Sequence, residues 1–228
     1  MKLHRNVRVL CFVAIVSCLF TASTVVAADV TKHIQLLPAK DLSAFYTFVK
    51  EQGVDNDANK AFTLEKGVLH VSGKQQGYLA TRQEYANYRL VVEYKWGKAS
   101  PDNDSAVFFH GVGPDKIWMQ SIEAQVATKT ATATGDLILI GGKATTLTVD
   151  GQRKEGGKID RAGKKDYEKP AGEWNTMEIL CSGDKVQIKV NGQVTAEGTG
   201  ANLTAGKIFL QSNNGEIFFR KCELFPLK

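Results

Sequence analysis

The sequence predicts an all-β fold, two antiparallel sheets packed as a β-sandwich or jelly roll. Three observations predict it. From Asp29 onward no long stripe of helical period appears; instead, short runs rich in Val, Ile, Phe, Tyr and Thr recur between Gly, Asn and Asp. The punctuation has hairpin chemistry, above all Asn191-Gly192, a pair suited to the two positive φ angles of a type I′ turn. The run YRLVVEYKW at 88–96 alternates, with Leu90, Val92, Tyr94 and Trp96 on one side. Antiparallel strands joined by short turns bury their apolar faces by stacking two sheets.

Taken in order, 62–64 and 68–71 form a hairpin about Lys66-Gly67. After the strand at 88–96, the segment 106–110 is expected to carry Val107 and Phe109 on one face and Ala106, Phe108 and His110 on the other. In the strand at 117–127, Ile122, Ala124 and Val126 point to the core, and Ser121, Glu123 and Gln125 point away. That polar face is either plain solvent exposure or the floor of a groove. Leu137 to Ile140 is apolar throughout, as for a strand covered on both faces. Strands at 174–181, 185–190, 193–196, 208–211 and 217–225 complete the meander. The segment 38–46 has room for one helical turn. Residues 150–169, charged and poor in apolar groups, read as a long loop, either a solvated insertion or a substrate lid.

Residues 1–28 read as a secretory signal peptide. Lys2, Arg5 and Arg8 precede an apolar stretch at 9–20 that is too short to span a bilayer, and Val26-Ala27-Ala28 offers small residues for cleavage before Asp29. Ile15-Val16-Ser17-Cys18 also resembles a lipoprotein box, but the sequence after Cys18 stays apolar where a lipid tether is usually polar. The expected product is one exported sandwich domain, 29–228, periplasmic or extracellular, with no later segment apolar enough to cross a membrane. Without the three basic residues of the signal, the 29 Lys and Arg become 26 against 24 Asp and Glu, a net charge of +2. That balance gives no reason to expect nucleic acid as a partner. Cys181 and Cys222 are left as either a disulfide, which export permits, or two buried thiols.

The chemistry is not announced by a known constellation. No Ser-His-Asp spacing, HExxH, paired CxxC or phosphate loop occurs, and Asp102 and Asp104 have only weak calcium-site character. His110, at a strand end before Gly111, is either a structural residue or a group whose pKa suits proton transfer. Arg220 lies within an aromatic strand, so its guanidinium needs a partner, which is Glu123, Glu216 or a ligand.

Six segments in order resemble the 3-keto-disaccharide hydrolase domain family, whose fold is a concanavalin A-like sandwich. They are 104–111 (DSAVFFHG), 122–125 (IEAQ), 135–136 (GD), 172–175 (GEWN), 191–192 (NG) and 206–222, which contains LQSNNGEIFFR. The likeness spans 67–227. This chain departs from the family pattern at Asp104 (an Asn in relatives), Ala106 (Gly) and His110 (Arg). Asn213 and Asn214 stand where many relatives carry an acid or a His. The resemblance implies an exported carbohydrate-active protein acting on 3-keto-glycosides. A base removes the C2 proton, acidified by the C3 ketone, and the C1 substituent leaves by elimination, after which water can add back. Such a site needs one base and an enolate stabiliser rather than the two flanking carboxylates of ordinary glycosidases. Under that resemblance Glu123 or His110 is the base. Gln125, Arg220, Gln211, Asn213 and Glu216 bind a keto-sugar or glycan, and a divalent metal is a possible cofactor. Two other readings stand beside it, a non-catalytic lectin-like carbohydrate-binding module and a structural envelope protein, because one sandwich serves many roles.

Overall fold

The computed structural model describes residues 33–38, 40–128 and 132–227. The proposed signal therefore lies outside the described residues. In chain order the strands are β1 (Ile34–Leu37), β2 (Phe45–Val49), β3 (Gly53–Val54), β4 (Phe62–Glu65), β5 (Val68–Val71), β6 (Gly77–Thr81), β7 (Tyr85–Ala86), β8 (Tyr88–Trp96), β9 (Asp104–Val112) and β10 (Gln120–Ala127). They continue as β11 (Leu137–Ile140), β12 (Thr146–Val149), β13 (Gln152–Glu155), β14 (Gly157–Ile159), β15 (Asn175–Ser182), β16 (Lys185–Val190), β17 (Gln193–Gly198), β18 (Ala205–Ser212) and β19 (Ile217–Pro226). Sheet 1 has the order β17-β16-β15-β8-β19-β5-β4, with β1 also on β19. Sheet 2 has the order β14-β11-β10-β9-β18-β6-β2-β3, with β7 on β18. Neighbours pair antiparallel, so the predicted sandwich is the fold.

Strand parity builds the core. Leu90, Val92, Tyr94 and Trp96 of β8 face Val107, Phe109, Ile122, Ala124, Leu137, Ile208 and Leu210 of sheet 2 in one buried cluster. Burial of this kind contributes roughly 1.5–3 kcal/mol per large side chain. Asn191 and Gly192 take φ of 49° and 80°, the two positive values the type I′ turn requires. A second apolar cluster lies on the outer face of sheet 2, where Tyr46, Tyr78, Ala80, Ala106, Phe108 and Phe209 are joined by Met119 from the β9–β10 connection.

Local expectations fail where neighbours decide. Among the described residues of 38–46 no helix forms; a turn leads straight into β2. The segment 150–169 is not one loop. It carries β13 and β14, short strands with exposed side chains that lack the apolar signal of a covered strand. β10 begins at Gln120 rather than at 117, and β11 has only one face fully covered. Cys181 and Cys222 are buried free thiols, on strands that flank β8 from opposite sides. Burial pushes each thiol up to about 12.

Candidate active site on the outer face of sheet 2

β10 sends Glu123 and Gln125 to the outer face of sheet 2, as its alternation predicts. Glu123 pairs across the sheet with Phe108 and Gln125 with Ala106. Leu210 of β18 pairs with Val107, which brings Gln211 alongside Ala106 on that same face. The face is not simply solvated, since Glu123 is 3% exposed and Gln125 and Gln211 are equally buried. Of the two alternatives left open by the sequence, plain solvent exposure is excluded.

At one end the polar groups interlock. Asp104 accepts a hydrogen bond from Gln125 Nε2 at 2.7 Å and one from Asn213 Nδ2 at 2.7 Å. Asn213 Oδ1 in turn accepts from Gln76 Nε2 at 3.0 Å. The Glu123 carboxylate has no hydrogen-bond partner among the described residues. Burial, and then the charge of Asp104, pushes it up to about 8. Gln211 Oε1 is buried without a partner. It is left for something other than the protein to satisfy, since a buried polar atom without a bond costs about 1–3 kcal/mol.

At the other end the segment 113–119 folds back onto the sheet. Asp115 Oδ1 accepts from Tyr46 Oη at 2.6 Å and Tyr78 Oη at 2.8 Å, and Lys207 Nζ donates to Tyr46 Oη at 3.2 Å. Beyond this clamp Trp118 stands 46% exposed, edge-on to Phe108 at 6.5 Å. None of Asp115, Tyr46, Tyr78, Lys207 or Trp118 was singled out by the sequence. They come from four separate segments, and an aromatic in a short β-rich run reads as core.

Three sequence-predicted residues lie elsewhere. His110 does not share a face with Phe108. It has φ of 51°, and it and Gly111 together oppose Ser121, a β-bulge that turns its ring to the core. There it is 1% exposed, packs edge-on to Tyr88, and engages the Leu203 carbonyl through Nδ1 at 2.9 Å. Burial holds its pKa below the ordinary histidine value. Arg220 is the extra residue of a bulge in β19 between Phe219 and Lys221. It points out from sheet 1, with Glu93 as its partner rather than Glu123 or Glu216, and lies over the Trp174 ring at 4.4 Å. Glu216 holds His70 Nε2 at 2.9 Å, also on the sheet 1 side. Glu123, Gln125, Gln211 and Asn213 thus converge, while His110, Arg220 and Glu216 do not.

A divalent metal finds no fitting set here. Among the described residues no three His, Cys, Asp or Glu side chains cluster. Of the three carboxylates on this face, that of Asp104 is taken up by two amides and that of Asp115 by two tyrosine hydroxyls.

A family profile described as "3-keto-alpha-glucoside-1,2-lyase-like domain" matches residues 32–224. No curated protein sequence matches the chain. Among solved structures, a Parabacteroides distasonis protein provisionally named a glycosyl hydrolase superposes with a TM-score of 0.60 at 20% identity, covering 86% of this chain and 100% of that one. Bacillus licheniformis β-glucanase superposes with a TM-score of 0.56 at 14% identity, covering 86% and 99%. The Emp46p carbohydrate recognition domain does so with a TM-score of 0.59 at 11% identity, covering 85% and 95%. At these identities the structures establish a shared jelly-roll sandwich. The chain is a glycosyl-hydrolase-like or carbohydrate-binding domain of that fold.

Proposed function

The chain belongs to the 3-keto-alpha-glucoside-1,2-lyase-like domain family, and from that premise we propose that its sheet 2 groove eliminates the C1 substituent of a 3-keto-glycoside, with Glu123 as the base. One observation carries the proposal. Glu123 is a carboxyl buried on the groove face, with no protein group bonded to it and a proton affinity raised to about 8. A carboxylate of ordinary pKa is a poor match for a carbon acid, and raising its pKa brings the driving force for proton transfer closer to balance.

The steps balance without an oxidant or a second carboxylate. Glu123 takes the C2 proton, and the C2–H electrons form the enolate of the C3 ketone. The enolate then expels the C1–O bond's electrons with the leaving group, giving an enone, and the leaving alkoxide takes up one proton. Return of water across the enone would make the net reaction a hydrolysis. Gln211, whose Oε1 lacks a partner, accepts from a sugar hydroxyl and so fixes C2 relative to Glu123. Asp104 plays a positioning part: it orders the amides of Gln125 and Asn213 and its charge keeps Glu123 basic.

The test is turnover of a 3-keto-glucoside with release of the C1 alcohol, compared with the unoxidised glucoside. Glu123→Gln should abolish release while leaving binding of the keto-sugar within a few-fold. Full activity in that variant would remove Glu123 as the base. One observation favours a binding module instead, the exposed Trp118 beside the groove, a surface suited to stacking on a sugar ring. Saturable binding of unoxidised glycans, quenching tryptophan fluorescence and lost in Trp118→Ala, with no turnover of any keto-sugar, would establish that reading.

A further inference from the structure

On the opposite side of the molecule lies a cavity of about 490 Å³ lined by Asn59, Lys60, Thr63, His70, Ser72, Lys74 and Gln75. This volume is in the ~300–1,000 Å³ range of small-molecule sites. Its lining is one-sided in charge: two lysines and no carboxylate. His70 is fixed in place, its Nε2 held by Glu216 at 2.9 Å and its Nδ1 by Thr63 Oγ1 at 3.2 Å. With a carboxylate as acceptor the proton sits on Nε2, and Nδ1 accepts from the Thr63 hydroxyl.

Two features mark the cavity as more than a basic surface. Gln75 lines the cavity, and its Oε1 is buried with no hydrogen-bond partner among the described residues. The loop that carries it is held tightly. A Cβ on Gly73 would lie 2.1 Å from the Gly215 carbonyl oxygen, and Ser212 Oγ donates to the Gln75 carbonyl at 2.6 Å. The next residue, Gln76, faces the other way and reaches Asn213 in the groove. Adjacent glutamines therefore serve two separate places.

Lysines without a lining carboxylate call for an anion, and the orphaned glutamine oxygen calls for a hydroxyl close to it. We propose that this cavity binds a sugar acid, its carboxylate against Lys60 and Lys74 and a ring hydroxyl donated to Gln75 Oε1. The site is independent of the chemistry assigned to Glu123.

The probe is D-glucuronate, titrated calorimetrically into the protein, with D-glucose and acetate as the two half-ligands. Saturable glucuronate binding that exceeds binding of either half-ligand by about tenfold or more is expected, since each charge-assisted bond is worth roughly that factor. Lys60→Asn with Lys74→Ala should weaken it at least as much. Asn is chosen because Lys60 has φ of 54°, a region Asn tolerates. Gln75→Leu, which fills the same volume without the waiting acceptor, should also weaken it, and Glu123→Gln should leave it unchanged. Acetate binding as tightly as glucuronate, unaltered binding in the lysine pair variant, or loss of binding in Glu123→Gln would each overturn the assignment, the last by placing the sugar acid in the groove.

Discussion

Replacing Glu123 by Gln should do two opposite things, abolish turnover and raise stability, and the second has a distinctive pH signature. In the folded chain the carboxyl holds its proton up to about pH 8, whereas its unperturbed value is 4.5. Between those values the unfolded chain has released the proton and the folded chain has not, so stability is lost as pH rises through the window. At 1.36 kcal/mol per pH unit, the loss relative to a neutral side chain reaches about 3 kcal/mol at pH 7 and levels off near pH 8. Gln matches the shape and does not ionise. Its amide adds a cost that is constant with pH. The measurement is urea unfolding of both proteins at pH 4, 6, 7 and 8.5, with unchanged m-values as the check that the transitions are comparable. The variant should gain on the parent by about 3 kcal/mol between pH 4 and pH 7. A difference that stays flat across that range would refute the account, because it would mean that Glu123 is already paired or hydrated in the folded state and is no candidate for a tuned base.

Two further outcomes follow from the same geometry and one from the sequence. Turnover of the keto-sugar should rise with pH toward about 8, where Glu123 becomes the ionised base, and Asp104→Asn should move that rise to lower pH by removing the neighbouring charge that helps to hold it up; an unshifted pH profile would separate Asp104 from the base. Arg220→Ala should cost under about 1 kcal/mol in chemical denaturation, since Lys221 remains on Glu93 at 3.1 Å and the pair is partly exposed, and it should leave kcat/KM unchanged because the residue lies on the outer face of sheet 1. If residues 1–28 are a cleaved signal, as we propose from the sequence, the intact mass of the protein recovered from its host should correspond to an amino terminus at Asp29; a lipidated Cys18 would instead show as retention with membranes and an acylated mass.

The local pattern was enough for the sheets and for half of the candidate site. Period-two alternation assigns Leu90, Val92, Tyr94 and Trp96 to the core and Glu123 and Gln125 to the opposite face of their strand, because side-chain direction in a strand is a property of position along the chain. The Asn-Gly turn is legible for the same reason, its φ angles being a local requirement. His110 and Arg220 show where this ends. Each sits at a bulge: at His110 the extra residue reverses the parity that counting would give, and in β19 it leaves Arg220 and Lys221 both facing outward onto Glu93. Whether a bulge forms depends on the neighbouring strand's register, which the residue's own neighbours in sequence do not specify. The orphaned state of Glu123, the nearness of Asp104, and the clamp of Tyr46 and Tyr78 on Asp115 depend on the order of strands within sheet 2. The sequence by itself determined that this chain makes a sandwich and which side of β10 carries the carboxyl. Only the tertiary structure decided that the carboxyl is buried without a partner, because desolvation and charge proximity are set by what the other strands bring to it.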